Sequence, residues 1–307
     1  MSAASSTKST CHTNPTIIRR AAQTASCLRH LTGPDLHTLM STLSTRAAAI
    51  RDALPPIIFG PGEAEKELQR LLHSFHDLAE HSDSLFASPT EAFNVGDRVY
   101  HLPRFVFFGP NQSSGPIRLA LYAGWNGDDA RGTLALLSLI ERLVLHPALA
   151  TGYQLVVYPL VNPTGFQDHT ALTRGGVRLE DENWAASEAP EIGILAKEFR
   201  LHNYHGWVSL HSTAAHDRIQ ARVRALPVNA DFFPVEQGRF RIDWQTDTAP
   251  GTEGPFALNG DLPFGSFQLR LDVPAAWPDG LHTVAVTQTV TAFLGRYRTA
   301  ISYGIHL

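Results

Sequence analysis

Apolar residues change their spacing along the chain, and the change divides it into two regions. Between residues 17 and 81 they recur every three or four positions, which predicts amphipathic helices over 17–54 and 63–81. From residue 104 onward, short apolar runs bounded by turn residues alternate with longer helical stretches. The short runs predict strands, and the longer stretches predict helices. The predicted strands cover 104–109, 117–124, 153–161, 207–211, 219–226 and 266–273, and the predicted helices cover 132–146, 188–203 and 280–297.

This alternation predicts an α/β fold with three layers, α/β/α, around a mixed, largely parallel sheet. Strands that are apolar on both faces need helices on both sides, and connections through helices favour parallel strands. We expect three regions along the chain. Residues 1–16, rich in Ser, Thr and Ala, form a disordered start; residues 17–95 form a helical N-terminal segment; residues 96–307 form the α/β domain.

Composition and charge exclude several classes of function. The chain has 307 residues with 25 basic and 29 acidic side chains, so it lacks the basic surface that nucleic acids and anionic membranes attract. It contains no apolar run long enough to cross a bilayer and no secretory signal, so we expect a cytoplasmic protein. Two cysteines, Cys11 and Cys27, are too few for a disulfide framework or a thiolate zinc cluster.

Polar residues follow the ends of four predicted strands. Asn126 and Asp129 follow strand 117–124, and Asn162-Pro163-Thr164-Gly165 follows strand 153–161. His211 and Asp272 end the strands that begin at residues 207 and 266. In open α/β sheets, ligands bind at the carboxyl ends of the strands. We therefore expect these side chains to meet at one edge of the sheet.

Taken in order, these strand ends resemble those of the zinc carboxypeptidase family, which includes deacylases and amidases. The resemblance covers roughly residues 104–298. It implies a carboxypeptidase-like α/β domain and a metal-dependent hydrolase of a peptide or amide C–N bond. In that family a Gly-x-His-Gly-x-Glu turn supplies two zinc ligands, a later histidine supplies the third, and a glutamate before x-Pro is the general base.

The resemblance places Asn126, Asp129 and His211 at the three metal-ligand positions. Only His211 matches the family's residue, because Asn126 replaces a histidine and Asp129 replaces a glutamate. Asp272 stands at the general-base position in place of glutamate, and Arg174 matches the arginine that stabilises the oxyanion.

The substrate-binding positions are also altered. The segment Asp181-Glu182-Asn183-Trp184 matches the family's Asp-x-Asn-Arg motif. Asn183 is kept, whereas Trp184 replaces the arginine that binds the substrate carboxylate.

The substitutions at the ligand positions weaken the expected metal site. An asparagine oxygen is a poorer zinc ligand than imidazole, and aspartate is shorter than glutamate by about 1.5 Å. An Asn/Asp/His site favours harder ions such as Mg²⁺ or Mn²⁺. We expect weak zinc binding, with another divalent cation or no metal as the alternative.

Two functions remain open at this point. One is a metal-dependent hydrolase with a degenerate site, in which Asp272 is the base and Arg174 stabilises the oxyanion. The other is a catalytically inactive relative that binds a peptide, or an N-acyl or amide small molecule, in the retained pocket.

Each candidate residue also has a structural interpretation. Asn126 and Asp129 could cap the helix that follows them, and Arg174 could pair with Glu180 or Asp181 at the surface. His211 and Asp272 could be buried side chains with hydrogen-bond partners.

Two further patterns bear on a pocket. Trp125, Trp184 and Trp277 flank the candidate positions, where they could pack in the core or line a pocket for a flat ligand. The alternating arginines of 218–224 predict a solvated strand face.

Overall fold

The structure is a computed structural model, and it describes residues 63–110, 115–224, 236–237, 240–247 and 266–304. The start predicted to be disordered, residues 1–16, and the helices predicted between residues 17 and 54 lie outside the described residues. The described helices are α1 (Glu63–Glu80), α2 (Arg131–Leu145), α3 (Pro163–Asp168), α4 (Pro190–His202) and α5 (Asp279–Gly304). The described strands are β1 (Leu85–Ala87), β2 (Ala92–Val95), β3 (Arg98–His101), β4 (Phe105–Phe108), β5 (Ile117–Tyr122), β6 (Tyr153–Tyr158), β7 (Gly206–Thr213), β8 (Ile219–Arg224), β9 (Glu236–Gln237), β10 (Phe240–Asp247) and β11 (Phe267–Pro274).

Nine of these strands form one mixed sheet in the order β1-β4-β6-β5-β7-β11-β8-β10-β9. Its centre is parallel, because β6, β5, β7 and β11 all run in the same direction. Antiparallel pairing begins on either side, at β4 and at β8. Strands β2 and β3 form a separate hairpin.

Two apolar cores, one on each face of the sheet, give the fold its three layers. On one face, Leu155 and Val157 of β6 pack in the same core as residues of α2 and α5. On the other, Val156 and Tyr158 pack with residues of α4 and of the β2–β3 hairpin. Successive side chains of a strand point to opposite faces, so a central strand must be apolar along its whole length. The predicted α/β/α architecture with a mixed sheet is confirmed.

Upstream of residue 96, where the sequence predicts the start of the α/β domain, the structure contains helix α1 and two short strands. Strand β1 pairs with β4 at the edge of the main sheet, and β2 pairs with β3 across that boundary. The sheet therefore takes its first strand from before the predicted boundary. No helix in the described part of the chain is long and apolar enough to span a bilayer.

Candidate functional site

The register of two parallel strands brings two of the candidate residues side by side. His211 of β7 lies directly opposite Asp272 of β11, although the two are far apart in sequence. Both side chains are buried, with 6% of His211 and 1% of Asp272 exposed. Strand β5 lies on the other side of β7, so the loop that follows β5 reaches the same edge of the sheet.

That loop, residues 123–130, is held in place by the turn that follows β6. Gly124 adopts φ = +65°, and a Cβ on Gly127 would lie 1.9 Å from the carbonyl carbon of Gly165. Asn162 accepts a 2.8 Å hydrogen bond from the Gly165 amide and donates a 3.2 Å bond to the carbonyl oxygen of Trp125. The Asn-Pro-x-Gly turn therefore fixes the loop that carries two of the predicted metal ligands.

The three predicted metal ligands line one small cavity. Asn126, Asp129 and His211 surround a space of about 220 Å³, which includes open solvent at its mouth. Asp129 accepts a 2.9 Å hydrogen bond from the amide of Arg131, the first residue of α2. The side-chain oxygen of Asn126 is buried and has no hydrogen-bond partner among the described residues.

These residues do not fit a zinc site. Catalytic zinc takes three protein ligands, usually histidine and carboxylate, and a water. Among the described residues, no three His, Cys, Asp or Glu side chains stand close enough to hold one ion. One oxygen of Asp129 already accepts the hydrogen bond from the Arg131 amide, and Nδ1 of His211 lies 3.1 Å from Oε2 of Glu180.

A network of charged side chains surrounds His211 and Asp272. Arg270 bridges two carboxylates, with its Nε 2.9 Å from Asp272 Oδ1 and its Nη2 3.2 Å from Glu180 Oε2. Arg222 approaches the second oxygen of Asp272 at 2.9 Å. Two guanidinium groups therefore hold both oxygens of the carboxylate at the predicted general-base position.

The network keeps both carboxylates ionised. The contact with His211 and the charges of Arg270 and Arg178 lower the pKa of Glu180 to about 2. Burial raises the pKa of Asp272, but the charge of Arg270 and the hydrogen bonds from Arg222 and Arg270 outweigh it, so its pKa is lowered overall. Burial lowers the pKa of His211, whose imidazole is therefore neutral at pH 7.

A larger cleft lies on one face of strands β5, β7, β11 and β8, with a volume of about 650 Å³ that includes open solvent. The side chains that form its floor come from alternate positions along each strand, which point to the same face of the sheet. The described residues that line it are Tyr122, Trp207, Ser209, His211, Arg222, Arg224, Gln268 and Arg270 from the strands, and Trp125, Glu180 and Trp184 from loops.

Aromatic side chains form one wall of this cleft. The Trp125 ring stacks on His211 with centroids 5.7 Å apart and planes within 14°. Trp184 is 5% exposed, and its ring centroid lies 6.0 Å from that of Tyr122 and 6.5 Å from that of Trp125. Trp184, which the sequence assigns to substrate binding, therefore lines the cleft.

Two predicted site residues stand elsewhere. Nε of Arg174 lies 2.8 Å from Asp168, and its Nη1 donates a 2.7 Å bond to Tyr100, so its carboxylate partner is Asp168. Asn183 is exposed, and its side chain accepts a 3.0 Å bond from the Ala185 amide. Neither residue is among the described residues that line the two cavities.

Several residues of the site were not identified from the sequence. Arg222 and Arg224 line the cleft, a role that the prediction of a solvated strand face did not include, and the Arg222 side chain is 42% exposed. Glu180 gave no signal beyond its place next to the Asp181–Trp184 segment. His282 of α5, 1% exposed, lies with Nε2 3.0 Å from the Ser212 hydroxyl at the small cavity.

Comparisons with known proteins agree with this architecture. No protein-family model matches the chain, and no curated protein matches it either. Among solved structures, a candidate metallopeptidase of Shewanella baltica matches with a TM-score of 0.56 and 16% identity, over 74% of this chain and 91% of that one. A metallo-carboxypeptidase from Burkholderia cenocepacia matches with a TM-score of 0.55 and 15% identity, over 75% and 69%.

A third structure is the metallo-carboxypeptidase from Pseudomonas aeruginosa in complex with (2-guanidinoethylmercapto)succinic acid. It matches with a TM-score of 0.55 and 12% identity, over 72% of this chain and 66% of that one. At these identities the likeness concerns the fold. The chain therefore has a metallocarboxypeptidase-like fold, as the strand-end residues predict, and the chemistry of its site must be argued from its own side chains.

Proposed function

We propose that this protein binds a peptide, or an N-acyl or amide small molecule, in the large cleft without metal-dependent hydrolysis. The observation that carries the proposal is the state of Asp272. Arg222 and Arg270 each contact one of its oxygens at 2.9 Å. A general base must accept a proton near neutral pH, and a carboxylate with a lowered pKa between two guanidinium groups does so poorly.

The metal-ligand positions support the same proposal. A cation bound through Nδ1 of His211 would lie beside Oε2 of the ionised Glu180, which is 3.1 Å from that nitrogen. Arg270 contacts that same carboxylate oxygen, so a fixed positive charge already stands beside it. A divalent cation on Nδ1 would have to displace this contact.

The cleft itself has the character of a binding site. It is concave and opens to solvent on the face of the sheet that carries His211 and Arg270. Among the described residues, four aromatic side chains line one part of it, and polar or charged side chains line the rest, so it offers both stacking and hydrogen-bonding surfaces to a ligand. Gln268 and Ser209 add neutral polar groups that suit amide groups of a ligand.

A metal-dependent hydrolase is the second candidate, and one observation favours it. Asn126, Asp129 and His211 share one small cavity, in which the Asn126 oxygen has no partner among the described residues. A hard divalent cation such as Mg²⁺ or Mn²⁺ suits this donor set better than zinc. In this case Asp272 would act as the base, whereas Arg174, bound to Asp168 and Tyr100 outside both cavities, could stabilise the oxyanion only after leaving these partners.

The test compares binding with turnover in protein purified without an affinity tag or chelator. Metal content is measured by mass spectrometry, and N-benzoylglycyl-L-phenylalanine and its C-terminal amide serve as probes in calorimetry and in a hydrolysis assay. We expect well under one metal ion per chain, and binding of intact probe that Trp184→Leu weakens. Addition of Zn²⁺, Mg²⁺ or Mn²⁺ should not produce hydrolysis.

Two variants distinguish the candidates. Asp272→Asn removes the predicted base, and Asn126→Ala removes a ligand position without touching the arginine contacts. Metal-dependent hydrolysis that both variants abolish would refute the binding proposal and establish the hydrolase. Circular dichroism of each variant confirms that a loss is not caused by unfolding.

A further inference from the structure

Gln268 of β11 places a neutral polar side chain at the floor of the large cleft. The register sets it between Trp207 of β7 and Arg224 of β8, and it lies two positions before Arg270, on the same face of the sheet. Its side-chain oxygen is buried and has no hydrogen-bond partner among the described residues. A buried acceptor is stabilised when a donor reaches it, so this part of the cleft suits an N–H group of a ligand.

Trp125 provides the complementary group at the aromatic wall. Its indole Nε1 is buried and also has no hydrogen-bond partner among the described residues. An indole N–H can only donate, so it needs an acceptor such as a carbonyl oxygen. Trp184, whose ring centroid lies 6.5 Å from that of Trp125, adds a flat apolar surface beside this donor. The wall therefore suits a flat ring that carries a carbonyl group.

The arginines that line the cleft already have partners. Arg222 and Arg270 both contact Asp272, and Arg270 also contacts Glu180. Arg224 is not free either. A charged group on a ligand would have to compete with these contacts, whereas an uncharged group leaves them in place. The polar atoms of Gln268 and Trp125 that lack partners are neutral, and this favours an uncharged ligand.

We infer that the cleft binds an uncharged N-aroyl amino acid amide, and that Gln268 selects the amide end over an ester or an acid. The ring lies on the aromatic wall, its carbonyl oxygen accepts from Trp125 Nε1, and the terminal carboxamide donates an N–H to Gln268. The strands that carry Tyr122 and Gln268 are separated by β7 alone, which puts them about 10 Å apart. The inference rests on the proposed function, because it treats the cleft as a binding site.

N-benzoylglycinamide and methyl N-benzoylglycinate provide the test, because both are uncharged and share the ring and its carbonyl group. Only the amide has an N–H to donate at its terminal end. A site that hydrogen-bonds a ligand N–H rejects the analogue that lacks it, so calorimetry at pH 7.5 should show about tenfold tighter binding of the amide. N-benzoylglycine, whose carboxylate would compete with the ion pairs, should also bind about tenfold more weakly than the amide.

Substitutions at Gln268 locate the selection. Gln268→Leu should reduce the ratio of amide to ester affinity to less than about twofold, while its retained binding of the ester shows that the variant is folded. Gln268→Glu still offers an acceptor oxygen and should keep the preference for the amide. Gln154→Leu, the same change at a half-buried position of β6 outside both cavities, is the matched control and should leave the ratio unchanged.

Trp125→Phe tests the other end of the ligand. Phenylalanine keeps an aromatic ring but has no N–H, and the amide and the ester carry the same benzoyl carbonyl. The variant should therefore weaken the binding of both ligands alike and leave their ratio unchanged. Urea unfolding of the variant separates lost binding from lost folding.

The inference is overturned if the amide does not bind, if it binds no more tightly than the ester or the acid, or if Gln268→Leu leaves its preference unchanged. Metal-dependent cleavage of the peptide probe would instead refute the proposed function, and it would do so whichever of the three ligands binds most tightly. The two failures are therefore distinguishable.

Discussion

His282 makes the stability of this protein depend on pH in a way that can be calculated. His282 is 1% exposed, and its Nε2 forms a 3.0 Å hydrogen bond with the Ser212 hydroxyl. Ser212 lines the small cavity. Burial lowers its pKa from 6.5 to about 4, although the charges of Asp129 and Asp279 partly oppose the shift. The folded protein therefore keeps this histidine neutral where the unfolded chain protonates it.

The sign and size of the effect follow from this difference. Between pH 6.5 and about 4, the unfolded chain binds a proton that the folded protein does not, so a fall in pH favours unfolding. Each pKa unit is worth about 1.4 kcal/mol, so His282 should lower the free energy of unfolding by about 3 kcal/mol across this range. Above pH 6.5 the contribution of His282 to the pH dependence of the free energy of unfolding vanishes, and below about pH 4 this contribution is constant.

The assay is urea unfolding of the native protein and of His282→Gln at several pH values between 7.5 and 4. Glutamine does not titrate and can still form a hydrogen bond with Ser212. The native protein should lose about 3 kcal/mol more than the variant as the pH falls, since the titration of carboxylates cancels in the difference. His73→Gln, at an exposed position of α1, serves as the control variant in the same measurements. If His282→Gln also runs parallel to the native protein, the imidazole is not held neutral and the reasoning is wrong.

Three further predictions concern the network and the loop. Arg270→Met should lower the free energy of unfolding at pH 7 by about 3 kcal/mol in urea titrations, because it leaves Glu180 and Asp272 without a shared partner; a loss below about 1 kcal/mol would contradict the network. The double variant Asn126→His with Asp129→Glu should bind zinc at least tenfold more tightly than the native protein, measured in competition with a chromophoric chelator. Adding Glu180→Gln to the double variant should raise the zinc affinity again. Stoichiometric zinc in the native protein would contradict this prediction. Gly127→Ala should destabilise the protein by about 2 kcal/mol in thermal or urea unfolding, because its Cβ would meet the Gly165 backbone; the exposed Gly193→Ala is the control.

The parallel centre of the sheet was predictable because its signal is local. In residues 153–158 every residue except Gln154 is apolar, and a short apolar run between turn residues favours a strand buried on both faces. The short strands before residue 96 were not predictable in this way. A strand of three or four residues, such as β1 or β2, contains too few alternations to be distinguished from helical spacing.

The positions of site residues at the ends of strands could be predicted from the order of strands along the chain. The ion pairs and hydrogen bonds of their side chains could not be predicted. His211 and Asp272 could be placed together because the ends of adjacent parallel strands meet. The partner of Arg174 could not, because Asp168, Glu180 and Asp181 are all near in sequence and only the fold decides which carboxylate is in reach. The carboxylate beside His211 likewise comes from a residue 31 positions earlier in the chain, Glu180.

The register of β7, β11 and β8 accounts for both the retained framework and the altered chemistry. The register aligns His211 of β7 with Asp272 of β11, and Asp272 with Gln220 of β8. The residue two positions before Asp272 in β11 must therefore point to the same face of the sheet as Asp272. In this chain that residue is Arg270, whose charge lies next to the predicted base and next to Glu180. Arg270 thus supplies a fixed positive charge beside the carboxylate that the resemblance makes the base. The same alternation carries Arg222 and Arg224 onto the neighbouring strand's matching face. The register that joins His211 to Asp272 therefore also places the guanidinium groups that hold the Asp272 carboxylate.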